Sequence, residues 1–179
     1  MSTIQILKRS ITNMDTEAVV NAANSGLWAG GGVCGYIFDA AGYEKLQEAC
    51  NEIGHCDVGN AVITPGFNMP NKYIIHAVGP RWIDGNHGEP SQLYDAYKNS
   101  LLVAKDNNIH SIAFPLISAG IFGYPKDKAW RKAIRACVNF ITKYPEYDIR
   151  IAFAILDDSI LEMGKKTLDN IVEETGVGL

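Results

Sequence analysis

The chain has no apolar run approaching the roughly 20 residues needed to cross a bilayer. Its opening, MSTIQILKRS, carries no long apolar core behind a basic segment, so no secretory leader is expected. Positive charge is scarce: 16 Lys and Arg stand against 20 Asp and Glu, for a net charge of -4. Indiscriminate binding to nucleic acid rests on basic surface and is disfavoured on that count. The four cysteines, Cys34, Cys50, Cys56 and Cys137, form no CxxC pair, so neither a zinc ribbon nor a thioredoxin motif is indicated. Cys50, His55 and Cys56 imitate a partial metal site but read better as small polar residues near a helix end, and no metal or cofactor is assigned. Unpaired thiols of this kind suit a reducing cytoplasm. A Gly-Lys-Ser/Thr sequence is absent, and so is a GxGxxG with its acidic partner, which weighs against ATPase and dehydrogenase readings. There is no linker, repeat or low-complexity stretch, and 1–179 is expected to be one domain.

What is present centres on Val19–Gly42, VVNAANSGLWAGGGVCGYIFDAAG. It reads as a buried strand, a polar loop with the amides Asn21 and Asn24, a glycine turn at Gly30-Gly31-Gly32, and a helix. Triple glycine removes every Cβ where the loop meets the helix, so a ligand can touch the main chain. The helix start adds free N–H groups and a positive dipole end, which suit a phosphate. A second glycine loop, SAGIFGYP (118–125), follows the apolar run HSIAFPLIS (110–118). Each loop follows a core strand and precedes a helix. In open α/β sheets ligands bind beyond the carboxyl ends of the strands, so two such loops side by side would clamp a diphosphate.

The remaining periodicity places strands at 3–7, 18–23, 59–67, 72–80, 110–118 and 149–156. Helical spacing runs over 33–52, with Gly42 a stop signal inside it, from Pro90 onward, over 126–143, and from Asp157 to about Glu174. RWIDGNHGEP (81–90) reads as an exposed loop. His76, inside an apolar strand, reads as a satisfied buried histidine. This alternation argues for an α/β sandwich with helices on both faces of the sheet.

Taken in order, VVNAAN (19–24), GGGV (30–33), AAG (40–42), GNAVITPGF (59–67), YIIHAVGP (73–80) and FPLISAGIFGYP (114–125) resemble the macro domain, a family that binds ADP-ribose, over nearly the whole chain. The resemblance implies a three-layer α/β/α sandwich around a mixed sheet of about six strands. It implies that Asn24 faces the distal ribose, with Asn21 supporting that loop, and that Gly31, Gly32 and Val33 line the distal ribose and diphosphate. Ser118, Ala119, Gly120, Ile121 and Phe122 would cover the diphosphate from the other side. Ser10, Ile11 and Leu156 would sit by the adenine. The implied partner is ADP-ribose or an ADP-ribosylated protein.

Two departures bear on activity. Many relatives continue GGGV with Asp-Gly-x-Ile-His, whereas this chain has Cys34-Gly35-Tyr36-Ile37-Phe38. In the family's hydrolases of the MacroD kind that Asp helps orient or activate water. A thiol titrating near ~8.5 does not replace a carboxylate base. General-base help is typically worth ~10²–10⁴ in rate. Asp39 lies about a turn further on and is not an evident substitute. Relatives also read Gly-Asp-Ile-Thr near the start, where this chain has Arg9-Ser10-Ile11-Thr12, so the adenine amino group would meet a neutral acceptor. The expectation is an ADP-ribose binder with weak or altered hydrolysis of ADP-ribosyl or O-acetyl-ADP-ribose esters, with a non-catalytic reader as the alternative.

Overall fold

Two apolar faces on one sheet dictate the layering. In a computed structural model that describes residues 1–179, β1 (Thr3–Leu7), β2 (Ala18–Ala23), β3 (Ala61–Pro65), β4 (Tyr73–Val78), β5 (Ser111–Phe114) and β6 (Arg150–Ala154) lie in the order β1-β6-β5-β2-β4-β3. Every neighbouring pair is parallel except β3 against β4, so the sheet is mixed. Central strands covered on both faces carry apolar residues on both, as β2 and β5 do. Val20, Ile75, Phe114 and Phe153 face a core with Tyr97, Trp130 and Leu161 of helices α3 (Glu89–Asp106), α4 (Lys126–Lys143) and α5 (Asp158–Thr175). Val19, Ile74, Ala113 and Ala152 face Ile37, Phe38 and Leu46 of α1 (Gly32–Ala41) and α2 (Tyr43–Ile53). The result is the expected three-layer α/β/α sandwich. No helix is long and apolar enough to cross a membrane.

Because β4, β2, β5 and β6 are adjacent and parallel, the segments after them leave the sheet side by side. The glycine loops after β2 and β5, Gly79 after β4 and Leu156-Asp157 after β6 are thereby brought to one edge.

Three elements depart from the periodicity. The helical pattern over 33–52 is two helices, broken at Gly42, whose φ of 102° excludes an ordinary side chain, and a Cβ there would stand 3.1 Å from Asn68 Nδ2. The strand expected over 110–118 stops at Phe114, because Pro115 has no N–H for the ladder. The loop 81–88 is exposed as expected, but its anchor is Glu89, a buried carboxylate. Glu89 accepts the N–H groups of Ile83, Asp84, Gly85 and His87 at 2.6–3.1 Å. Burial pushes its pKa up, but the N–H groups of Glu89 itself, Gly85, Ile83 and His87 outweigh burial and hold it at about 2.

Candidate functional site

The two glycine loops meet. A Cβ on Gly31 would lie 3.7 Å from Ile121 Cδ1, so the side chain of the second loop reaches the main chain of the first. On either side of this contact lies a cavity. The smaller, of about 150 Å³, is walled by Asn24, Gly31, Cys34, Gly79, Ser118 and Phe122. The larger, of about 650 Å³, runs from Val33, Tyr36, Ala119 and Gly120 to Ser10, Ile11, Leu156 and Asp157. Consecutive residues of each loop divide between the two cavities, which makes them compartments of one cleft with a waist at Gly31 and Ile121.

The waist is rich in free donors. The N–H groups of Gly31, Gly32 and Val33 donate to nothing within the protein, and neither do those of Gly120, Ile121 and Phe122. Gly31 caps α1 without a side-chain bond, and no acidic residue occupies the first turn, so the positive end of the helix is uncompensated. Ser118, only 7% exposed and at φ 66°, presents a hydroxyl with no partner to the smaller compartment. Gly79 makes that placement fit: a Cβ there would sit 2.2 Å from Ser118 Oγ and 2.5 Å from Ile117 Cγ2.

Asn24 reaches the smaller compartment while clamping its own loop. Its Oδ1 accepts the Trp28 N–H at 3.2 Å and its Nδ2 donates to the Trp28 carbonyl at 2.9 Å. Asn21 takes a different place from Asn24. It is buried among the core residues on the α1–α2 side, opposite His76 in the β2–β4 register, and lines neither compartment. Its Nδ2 donates to His76 Nδ1 at 3.0 Å and contacts Cys34 Sγ at 3.6 Å, so it supports the glycine turn from beneath.

With Asn21 as donor, His76 Nδ1 is the acceptor and the ring proton sits on Nε2, facing Thr64 Oγ1 at 2.9 Å. Full burial lowers the His76 pKa to about 4. The unfolded chain therefore takes up a proton below about pH 6.5 that the folded chain refuses until about pH 4. Stability is expected to fall across that window by about 3 kcal/mol. Urea unfolding at a series of pH values checks this. His76→Gln should lose that component, and parallel curves for the two proteins would contradict it.

Cys34, on the first turn of α1, is 5% exposed and forms part of the smaller compartment's wall. Its Sγ accepts the Gly30 N–H at 3.4 Å and lies 3.9 Å from the Trp28 carbonyl. Asp39 is exposed and lines neither compartment. The other thiols are remote in chemistry: burial pushes Cys50 up to about 11, beside His76, and raises Cys56 and Cys137. Cys50, His55 and Cys56 do not converge on one point. Asp84, His87 and Glu89 do, but Glu89 spends both carboxylate oxygens on the loop N–H groups.

In the larger compartment Ile11 is buried, and Leu156, at 66% exposure, offers an apolar surface opposite. Ser10 Oγ caps the turn Ile11–Asn13, accepting the Thr12 N–H at 3.3 Å. Tyr36, exposed and one turn beyond Val33, also lines this compartment. It was not among the residues expected there, although its i+3 spacing from Val33 puts both on one side of α1.

The macro domain family model matches residues 20–133. An uncharacterized protein of Fusobacterium nucleatum is 44% identical over 171 residues, covering 95% of this chain and 97% of that protein. An O-acetyl-ADP-ribose deacetylase of Salmonella typhimurium is 46% identical over 147 residues, 80% of this chain and 82% of that one. Among solved structures, the Oceanobacillus iheyensis macrodomain with ADP matches with a TM-score of 0.90 at 33% identity, covering 97% of this chain and 93% of the other.

Proposed function

The chain belongs to the macro domain family, and from that premise we propose that it binds ADP-ribose and slowly hydrolyses ADP-ribosyl or O-acetyl-ADP-ribose esters. The observation that carries the reading is the waist, where the two glycine loops meet between two compartments and six of their N–H groups, three from each loop, have no internal acceptor. A diphosphate supplies the oxygens that such donors want. The larger compartment then takes the adenosine, with Leu156 and Tyr36 as apolar surfaces and Ser10 as a neutral acceptor near the base. The smaller takes the distal ribose against Asn24, Ser118 and Phe122.

The chemistry follows from what borders the distal ribose. Bound ribose and diphosphate hold a water against the anomeric or ester carbon in a compartment of about 150 Å³. Positioning supplies rate without a base. Cys34 is the wall residue closest to the role of a base, and as a thiol it accepts a proton poorly, so water activation falls to the ligand's own phosphate or hydroxyl groups. That deficit specifically favours a second reading, in which the cleft recognises ADP-ribose and releases it unchanged.

Calorimetric titration tests the binding. ADP-ribose is expected to bind at least ~10-fold more tightly than ADP or AMP, the margin that about 1.4 kcal/mol of distal-ribose contact provides. Equal affinity for the three would remove the smaller compartment from the site. Incubation with a mono-ADP-ribosylated acidic protein separates the two readings: release above the blank marks a hydrolase, and retention without release marks a reader.

A further inference from the structure

A second concavity adjoins the cleft at Phe122. It is lined on one side by Lys128, Arg131, Lys132 and Arg135, and on the other by Trp82, Asp84 and Tyr124, and encloses about 510 Å³. The cations recur at i, i+3, i+4 and i+7, which places them on one face of α4. Arg131 and Arg135 share a single carboxylate, Glu174, at 3.3 and 3.0 Å, while Lys128 and Lys132 pair with none. Asp84 is engaged by the Asn86 N–H and the His87 ring. In a chain of net charge -4 this is a local excess of positive charge.

The segment 122–124 joins the groove to the cleft. Phe122 lines the compartment assigned to the distal ribose, and its carbonyl accepts the Trp82 N–H at 2.9 Å. The Arg81 guanidinium lies 4.9 Å over the Phe122 ring. Tyr124, two residues on, is already in the groove, a separation of at most ~7 Å along the chain.

We infer that this groove binds the acidic polypeptide segment flanking an ADP-ribosylated side chain, while the ADP-ribose occupies the cleft. The inference rests on the reading of the cleft given above, because that reading seats the distal ribose against Phe122, two residues from the groove. The span from Lys128 to Arg135 covers ~10 Å of helix, which matches about three residues of extended chain. Lys and Arg there meet carboxylates of the segment, a complementarity that selects acidic surroundings over neutral ones. Single-stranded nucleic acid fits less well. It wants open aromatic faces for its bases, whereas Trp82 is covered by Tyr124 at 4.7 Å and by the Lys128 ammonium at 5.5 Å.

The test uses the full chain and the double charge reversal Lys128→Glu/Lys132→Glu, which leaves both arginines on Glu174. Calorimetry compares three ligands: free ADP-ribose, and a peptide mono-ADP-ribosylated through a hydrolysis-resistant linkage with either glutamate or serine neighbours. The native chain is expected to prefer the glutamate peptide over the serine peptide by ~10-fold or more, with the margin shrinking as salt rises. The reversed variant should lose the margin and keep its affinity for free ADP-ribose, which also shows that it is folded. Equal affinity for the two peptides in the native chain overturns the groove and leaves the cleft standing. A variant that loses free ADP-ribose as well overturns the groove as a separate site. Failure of the native chain to bind free ADP-ribose removes the cleft reading and this inference with it. Tighter binding of a single-stranded RNA oligonucleotide than of the glutamate peptide, abolished by the reversal, would reassign the groove to nucleic acid.

Discussion

Asn24→Ala is expected to weaken ADP-ribose binding by about 100-fold, equivalent to about 3 kcal/mol. The substitution removes two things at once. The first is the loop clamp: both arms of the amide hold the backbone of Trp28, and the turn they close also contains Leu27 in the left-handed region at φ 58°. Hydrogen bonds of this kind are worth about 0.5–1.5 kcal/mol each, so without them the free loop samples conformations that binding must reorder. The second is the donor and acceptor that the amide offers to a ribose hydroxyl in the smaller compartment. Trp28 is 61% exposed, so with Trp82 and Trp130 replaced by Phe its fluorescence reports the loop. Asn24→Asp keeps an acceptor for the Trp28 N–H, loses the donor both to the Trp28 carbonyl and to the ribose, and puts charge beside the diphosphate. Both variants should unfold within a few degrees of the native chain, since Asn24 is only partly buried. Unchanged affinity of Asn24→Ala by calorimetry would take the distal ribose out of this compartment.

The fold was legible because its periodicities are local. β2 and β5 are apolar on both faces, as central strands must be, and α4 begins and ends where helical spacing places it, at Lys126 and Lys143. The glycine loops were legible for the same reason, since each lies between a readable strand and a readable helix. Features that depend on partners distant in sequence were less so. Asn21 and Asn24 sit three residues apart and look equivalent in the chain, yet the strand register turns Asn21 onto His76, 55 residues away, and leaves Asn24 at the cleft. The resemblance counted Asn21 in the ligand-binding set as a support of the Asn24 loop; the register makes it a support for the wall behind Cys34. Glu89 was hidden by its setting in RWIDGNHGEP, where nothing announces that a carboxylate folds inward to collect four N–H groups. The α4 cations were diluted by the acidic balance of the whole chain, and only the helix face and the neighbouring loop show them as a group. Tyr36 was missed, although α1 spacing alone puts it on the side of Val33. Ser118 was expected over the diphosphate, but its unpartnered hydroxyl follows from the close approach permitted by Gly79, which no local pattern records.

Cys34→Asp is expected to raise ester hydrolysis at saturating substrate by about 10²-fold, the lower end of what a general base contributes. The wall is already built for an acceptor. The Gly30 N–H and Asn21 Nδ2 both point at Sγ, at 3.4 and 3.6 Å, and a carboxylate would accept both more strongly than sulfur does. The position also lies on the first turn of α1, which has no acidic residue of its own, so the helix dipole offsets part of the cost of burying charge by about 0.3–1 kcal/mol. A second carboxylate oxygen would then be free to hold a water in the compartment shared with Asn24 and Ser118. The same charge repels the diphosphate across the waist, so affinity for ADP-ribose should fall a few-fold while turnover rises. For that reason the measurement is turnover at saturation with a mono-ADP-ribosylated acidic protein, beside an independent titration of ADP-ribose. Cys34→Ser is the control: it preserves a small polar group without a base and should leave turnover where it is. If Cys34→Asp binds ADP-ribose and gains nothing, the thiol is not what limits the native chain. The deficit would then lie in how Asn24 and the glycine turn present the ribose.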